Sequence, residues 1–208
     1  MSLKIAAIGL ALGLAISAQQ AHANLIISVN GTQEATDPTN TFATFTGAVG
    51  SFNLNTISMV GLSAFGGNGT LVDNGSLNIS TSGAGTLNIK LTETNLAGAS
   101  TIPFSGLFTG TMTNATVSRS FYVDPTNAGL MTTLLGSTTT SGGSFFDSVH
   151  LSGPYSLTEY ISITATGPGA TLSADDTVKA PEPISLSVLG FGLLGLGMVR
   201  HRRHKRQG

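Results

Sequence analysis

The strictest constraint in this sequence is an alternation of apolar and polar residues with a period of two. Between residues 155 and 166 the apolar side chains fall on one parity, and serine and threonine fall on the other. Residues 85–94 repeat the pattern. Successive side chains of a β-strand point to opposite faces, so each segment is predicted to be a strand with one buried and one solvated face. The inward residues are Leu157, Ile161, Ile163 and Ala165 in the first segment, and Leu87, Ile89 and Leu91 in the second.

Similar short runs recur along most of the chain, separated by clusters of Gly, Asn, Asp and Ser, and no long helical period interrupts them. This spacing predicts an all-β fold, an antiparallel β-sandwich. A β-solenoid is the alternative, but the sequence has no fixed internal repeat. The further strands are predicted over 25–30, 42–49, 50–59, 76–80, 102–113, 115–123 and 144–151, with breaks at 66–69, 73–75, 142–143 and 167–169.

Composition excludes several kinds of site. The 208 residues contain no cysteine, so neither a disulfide framework nor a thiolate metal site is available. Residues 24–180 contain three basic residues against nine acidic ones, a net charge of −6. Nucleic-acid binding needs clustered Lys and Arg, so the charge argues against a nucleic-acid partner. We expect no cofactor and no metal.

The N-terminal residues have the pattern of a secretory signal peptide. Lys4 provides the positive start, Ile5 to Ile16 the apolar stretch, and Ala21 and Ala23 flank His22 at a small-x-small cleavage site. Signal peptidase is the predicted partner, and the mature chain is expected to begin at Asn24.

Near the C-terminus, residues 184–199 contain no charge and are followed by a basic cluster. At about 1.5 Å per residue the run spans roughly 24 Å, against a bilayer core of about 30 Å, a mismatch that modest thinning bridges. The cluster would stay cytoplasmic by the positive-inside bias, so the run predicts a single inner-membrane helix with the body outside. The cluster is Arg200, Arg202, Arg203, Lys205 and Arg206.

Pro181, Glu182 and Pro183 precede that run. The two prolines fix an extended backbone there, the form that a peptide-cleaving site can hold. Together the triplet, the Gly/Leu-rich span and the basic end resemble the PEP-CTERM sorting signal of exported bacterial proteins. The resemblance implies recognition of the triplet by exosortase, a transpeptidase that removes the helix and passes the body to the cell surface or exopolysaccharide matrix. The same signal occurs on some ice-binding proteins.

Ligand-binding and catalytic alternatives rest on few residues. Thr109, Thr111 and Thr113 share one parity of a predicted strand, and such a threonine ladder could face a polysaccharide or ice; threonine is also simply a good strand former. A hydrolase would have to use His150, with Asp147 three residues away, but on a strand these two point to opposite faces. We therefore predict no catalytic residues.

The sequence thus divides into a signal peptide (1–23), a β-sandwich body (24–169), a polar linker (170–180) and a sorting signal (181–208), with its motif at 181–183, helix at 184–199 and basic tail at 200–208. The first functional hypothesis is an exported, non-enzymatic protein with a structural or adhesive role at the cell surface or in the exopolysaccharide. The alternatives are a β module that binds carbohydrate or ice, and a hydrolase.

Overall fold

The structure, a computed structural model, describes residues 23–61, 70–96, 98 and 100–180. Within these residues the chain forms twelve β-strands and no helix. The strands are β1 (Asn24–Val29), β2 (Thr32–Asp37), β3 (Phe42–Val49), β4 (Phe52–Gly61), β5 (Thr70–Thr81), β6 (Gly85–Leu96), β7 (Ser100–Thr113), β8 (Ala115–Asp124), β9 (Thr133–Thr138), β10 (Gly143–Leu151), β11 (Tyr155–Ala165) and β12 (Thr171–Lys179).

The strands form two six-stranded sheets in which neighbouring strands are antiparallel. Sheet I has the order β2-β1-β6-β11-β8-β9, and sheet II has the order β10-β7-β12-β5-β4-β3. From β5 onward the chain repeatedly crosses from one sheet to the other, so the sheets are built together rather than one after the other. The predicted all-β fold with antiparallel sheets is confirmed.

One apolar core fills the space between the sheets. The inward parities supply Leu25, Ile27, Ile57, Leu77, Leu87, Ile89, Phe104, Phe108, Phe121, Leu157 and Ile161, all nearly or fully buried. The Phe108 ring of sheet II lies 5.3 Å from the Phe121 ring of sheet I, centroid to centroid. Phe145 of β10 joins this pair, and a Cβ at Gly136 would lie 2.3 Å from its ring, so glycine is required there.

The two ends of the sandwich differ in their connections. At the exit end, where β12 finishes at Lys179, β8 also finishes and β11 begins. The Phe104 and Tyr155 rings, 6.1 Å apart, show that the two sheets meet there. At the distal end the turn at 167–169 follows β11, and Thr81 Oγ1 donates to the Gly167 carbonyl oxygen at 3.1 Å.

Nine strands lie where the sequence predicts them, with shifted ends, but β2, β9 and β12 were not predicted. The polar linker predicted over 170–180 is wrong: residues 171–179 are β12, between β7 and β5 in sheet II. The break predicted at 73–75 is also wrong, because these residues belong to β5. The register of β5 shifts beside them against both neighbours, so β-bulges accommodate the turn-forming residues within the sheet.

A buried ion pair joins the sheets. Arg119 Nη1 of β8 lies 2.6 Å from Asp176 Oδ1 of β12, and both side chains are almost fully buried. Arg119 also donates to the carbonyl oxygens of Thr109 and Thr140, each at 2.9 Å. Burial raises the pKa of the Asp176 carboxyl, and the hydrogen bond with Glu159 and the charge of Arg119 offset only part of that effect. Arg119 is therefore the cation that compensates the charge of the buried Asp176 carboxylate.

Replacing Arg119 by methionine should cost about 3–5 kcal/mol of unfolding free energy, because it leaves Asp176 buried without its cation. The double variant Arg119→Met/Asp176→Asn should recover much of this loss, since the asparagine amide oxygen can still accept from Thr109 N, as Asp176 Oδ1 does at 2.9 Å. Urea unfolding at neutral pH measures both. A double variant no more stable than Arg119→Met would contradict the electrostatic explanation.

Candidate ligand-binding face

The three threonines singled out in the sequence lie side by side on the solvent face of sheet II. Thr109, Thr111 and Thr113 are exposed along β7, whereas Phe108 on the opposite parity is buried in the core. Thr109 Oγ1 donates to the Asp175 carbonyl oxygen, so one hydroxyl of the three is already engaged. The Thr111 and Thr113 hydroxyls form no hydrogen bond with another side chain or with the backbone among the described residues, and both side chains are exposed.

The neighbouring strands extend this row into a surface. Thr113 is opposite Thr171 and Thr111 is opposite Ser173 on β12. Ser173 is in turn opposite Asn78 on β5, and Asn55 Nδ2 of β4 donates to Asn78 Oδ1 at 2.9 Å. We call this surface the threonine face; its exposed side chains are Thr109, Thr111, Thr113, Thr171, Ser173, Asn78, Asn55 and Asn53.

The threonine face offers many hydroxyl and amide groups but no aromatic ring. In a regular sheet its groups would repeat about every 6.8 Å along a strand and about every 4.8 Å between strands. A register shift between Leu54 and Thr56 interrupts this repeat on β4, whereas the shift between Ala174 and Asp176 lies beyond Ser173 and Asn78. The face is therefore extended and polar without being a uniform lattice.

His150 and Asp147, the two residues that a hydrolase was predicted to need, do not come together in the described structure. His150 is exposed on β10, and its Nδ1 lies 3.4 Å from Thr101 Oγ1. Asp147 falls on the inward parity of the same strand, where it is half-buried, so the two side chains lie on opposite faces. Among the residues described, no group of three His, Asp or Glu side chains is arranged to hold a metal ion. Asp175 is exposed and Asp176 is used in the ion pair, so this acidic pair does not form a cation site.

A polar cluster that the sequence did not reveal lies inside the exit end. Glu93 of β6 is fully buried, and Asn40 Nδ2 donates to its Oε1 at 2.6 Å. Burial raises the pKa of the Tyr155 hydroxyl, and the charge of Glu93 raises it further. Glu93 follows Leu87, Ile89 and Leu91 on the inward parity of β6, and that position was the only signal of it in the sequence.

The loop 125–132 covers part of the outer face of sheet I, and Asp124 holds it in place. The Asp124 carboxylate accepts from Thr126 N and Oγ1, from Ala128 N and from Leu130 N, at 2.7–3.0 Å. Gly129 N donates to Ser156 Oγ at 3.0 Å, which docks the loop on β11. Burial raises the pKa of Asp124, but the hydrogen bonds from Leu130, Thr126 and Ala128 outweigh it and hold the pKa below its usual value.

The predicted sorting residues Pro181, Glu182 and Pro183, the basic tail and Ala21 lie outside the described residues. Ala23 is the first residue described and is largely buried against the core. The described part of the chain contains no helix of the length and hydropathy that a bilayer crossing requires.

No family model matches this sequence, and no curated protein matches it. Solved structures with some likeness include the enzymatically active domain of bacteriophage CBA120 tailspike protein 4, at 11% identity and a TM-score of 0.32, covering 75% of this chain and 19% of that one. A xylan-binding domain from CBM 22 matches at 14% identity and a TM-score of 0.28, over 65% of this chain and 90% of that one. The C-terminal CBM6 of LamC from Zobellia galactanivorans matches at 11% identity and a TM-score of 0.26, over 50% and 79%. Likenesses this low support no functional inference.

Replacing Asp124 by asparagine should destabilise the protein by about 2–3 kcal/mol at neutral pH, because an amide nitrogen cannot accept the N–H groups of the loop. The pKa of Asp124 is lowered by folding, so its contribution is present above the unfolded value and is lost as the pH falls through the lower folded value. The difference from wild type should therefore shrink below about pH 4. Thermal unfolding at pH 7 and pH 3 measures it. Asp147→Asn, which alters one short-range hydrogen bond to Ser148 N, is the control and should change little.

Proposed function

We propose that this chain is an exported, non-enzymatic β-sandwich that is held at the outer surface of the cell and binds an extracellular polysaccharide through the threonine face. The observation that carries the proposal is the continuous surface of solvent-facing hydroxyl and amide groups across β7, β12, β5 and β4. These groups offer both donors and acceptors, as the hydroxyls of a sugar polymer do.

A polysaccharide suits this face better than ice. An ice surface is a rigid lattice that demands constant spacing, and the register shift between Leu54 and Thr56 interrupts that spacing on β4. A glycan chain is flexible enough to adjust its hydroxyls to an irregular set of partners. Asp175, exposed beside Thr109, adds a charged acceptor that suits sugar hydroxyls.

Binding through such a face is expected to be weak for one molecule. The face lacks an aromatic ring to stack on a sugar, so little apolar area is buried in the contact. Many copies displayed on one cell would act together, because the second and later contacts are intramolecular. Weak single contacts with strong collective attachment suit an adhesive role in a matrix.

The proposed localisation rests on the resemblance of residues 181–206 to a PEP-CTERM signal. An exosortase would recognise Pro181, Glu182 and Pro183 and release the body from the membrane run. Before that step the protein would be held by residues 184–199 with the sandwich outside.

Binding is tested with the full-length chain in detergent, by co-sedimentation with exopolysaccharide from the producing organism and with neutral β-glucans. Thr111→Lys should weaken binding about tenfold or more, equivalent to ~1.4 kcal/mol, because a long charged side chain would lie over the centre of the face. Thr116→Lys makes the same change at an exposed position of sheet I and should bind as wild type does.

Two results would count against this assignment. Equal loss in both variants would place binding elsewhere or assign it to net charge. Altered ice-crystal shape with no retention on any polysaccharide would assign the face to ice instead.

Sorting is tested in the producing organism by terminal mass spectrometry of membrane, surface and medium fractions. Glu182→Ala should leave a folded body that retains Arg206 in the membrane fraction, whereas wild type should begin at Asn24 and end within 181–183. Normal processing of Glu182→Ala would remove the role proposed for that carboxylate.

A further inference from the structure

The large apolar side chains that remain exposed are concentrated toward one end of the sandwich. Among the described residues six such side chains are exposed by 46% to 76%, and all six lie toward the exit end. The surface turns at the distal end, at 50–51, 82–84, 114 and 166–169, contain only Gly, Ser, Ala, Asn, Thr and Pro. We call the six side chains the apolar girdle: Phe42, Leu107 and Phe146 on sheet II, and Leu130, Met131 and Leu134 on the sheet I side.

Strand register establishes their common level on sheet II. Phe146 is opposite Ser105, which is opposite Lys179 near the end of β12. Leu107 is opposite Thr177, two residues earlier. Phe42 reaches the level of Thr177 through Val60 and Asp73, although it lies on the far edge of the sheet. On sheet I, Leu130 and Met131 belong to the loop after β8, and Leu134 is opposite Tyr122.

The girdle occupies both outer faces, and this limits what can cover it. A second copy stacked on one sheet would cover the three side chains of that sheet and leave the others in water. Scattered exposed apolar residues are ordinary, but their concentration at one end marks an interaction surface. A lipid headgroup layer that surrounds the exit end would cover the apolar side chains of both outer faces at once.

The direction of the chain supplies an independent argument. The described structure ends at Ala180, and the uncharged run begins at Ile184, so the four residue-to-residue steps between them span at most about 14 Å. That run is shorter than the bilayer core by about 6 Å, and a short span draws its flanking residues toward the membrane. Lys179, exposed at the same end, is placed to meet lipid phosphates.

We propose that the exit end of the sandwich is seated in the headgroup region of a phospholipid bilayer, with the apolar girdle in contact with lipid. This inference rests on the membrane anchoring in the proposed function. It orients the module: the long axis stands off the membrane, and the distal part of the threonine face, at Thr111 and Thr113, lies farther from the membrane than the apolar girdle. Apolar side chains at this depth gain burial that the aqueous surface does not give them.

The chain contains no tryptophan, so one introduced tryptophan reports its own surroundings. Phe146→Trp and Leu130→Trp place the reporter on the two sides of the girdle, and Thr113→Trp places it at the distal end as the control. Each full-length variant is reconstituted into phosphatidylcholine vesicles with plain or brominated acyl chains. For both girdle reporters we expect the brominated lipid to quench the tryptophan fluorescence and the emission maximum to shift to shorter wavelength. The Thr113→Trp control should show neither change.

The outcomes separate this inference from the anchoring on which it rests. Vesicles that float with the protein but leave both girdle reporters unquenched would overturn the lipid contact and keep the anchor. Protein that does not float with vesicles would overturn both. A blue shift without quenching that depends on protein density would assign the girdle to contacts between copies. Equal quenching of the Thr113→Trp control would also refute the proposed orientation.

Discussion

The ion pair between Arg119 and Asp176 is the interaction on which the arrangement of the two sheets depends most. A guanidinium that bridges β8 and β12 and also binds the carbonyl oxygens of Thr109 and Thr140 fixes both sheets and the turn before β10. A buried ion pair adds little net stability compared with apolar packing. It does restrict the strand register, because a shift of either strand by one residue would leave a charge unpaired in the core. It also explains how a strand with two adjacent aspartates can sit in the centre of a sheet.

Sequence periodicity predicted the fold class and most strands, and it failed where other signals outweighed it. β2 is polar on both faces because it is an edge strand, yet Asn30 and Gly31, both at positive φ, form the two-residue turn that marks a hairpin. The alternation of β12 is regular, but Asp176 on its inward face concealed it until its partner was known. The Asp-Asn-Gly sequence at 73–75 indicated a turn, and only the neighbouring strands show that bulges absorb it.

The candidate site was predictable to a similar degree. Parity alone places Thr109, Thr111 and Thr113 on one face, because that information is local to β7. Their neighbours on β12 and β5 follow from pairings between residues up to a hundred positions apart, which periodicity does not contain. The loop held by Asp124 was harder to predict. An aspartate that accepts hydrogen bonds from the following backbone N–H groups is common to all Asx turns, so the sequence does not distinguish this loop from the others.

The distribution of side chains along the sandwich makes its two ends chemically different. The apolar side chains cost solubility wherever water reaches them, so their restriction to the end from which the chain leaves needs a physical reason. A body with net charge −6 is repelled from anionic surfaces, and its exposed Lys179 lies at the end that we propose to be seated on the membrane. Before the membrane run is cleaved, a module oriented by apolar contacts at its base, rather than by charge, would keep its hydroxyl-rich distal half away from the membrane at any ionic strength.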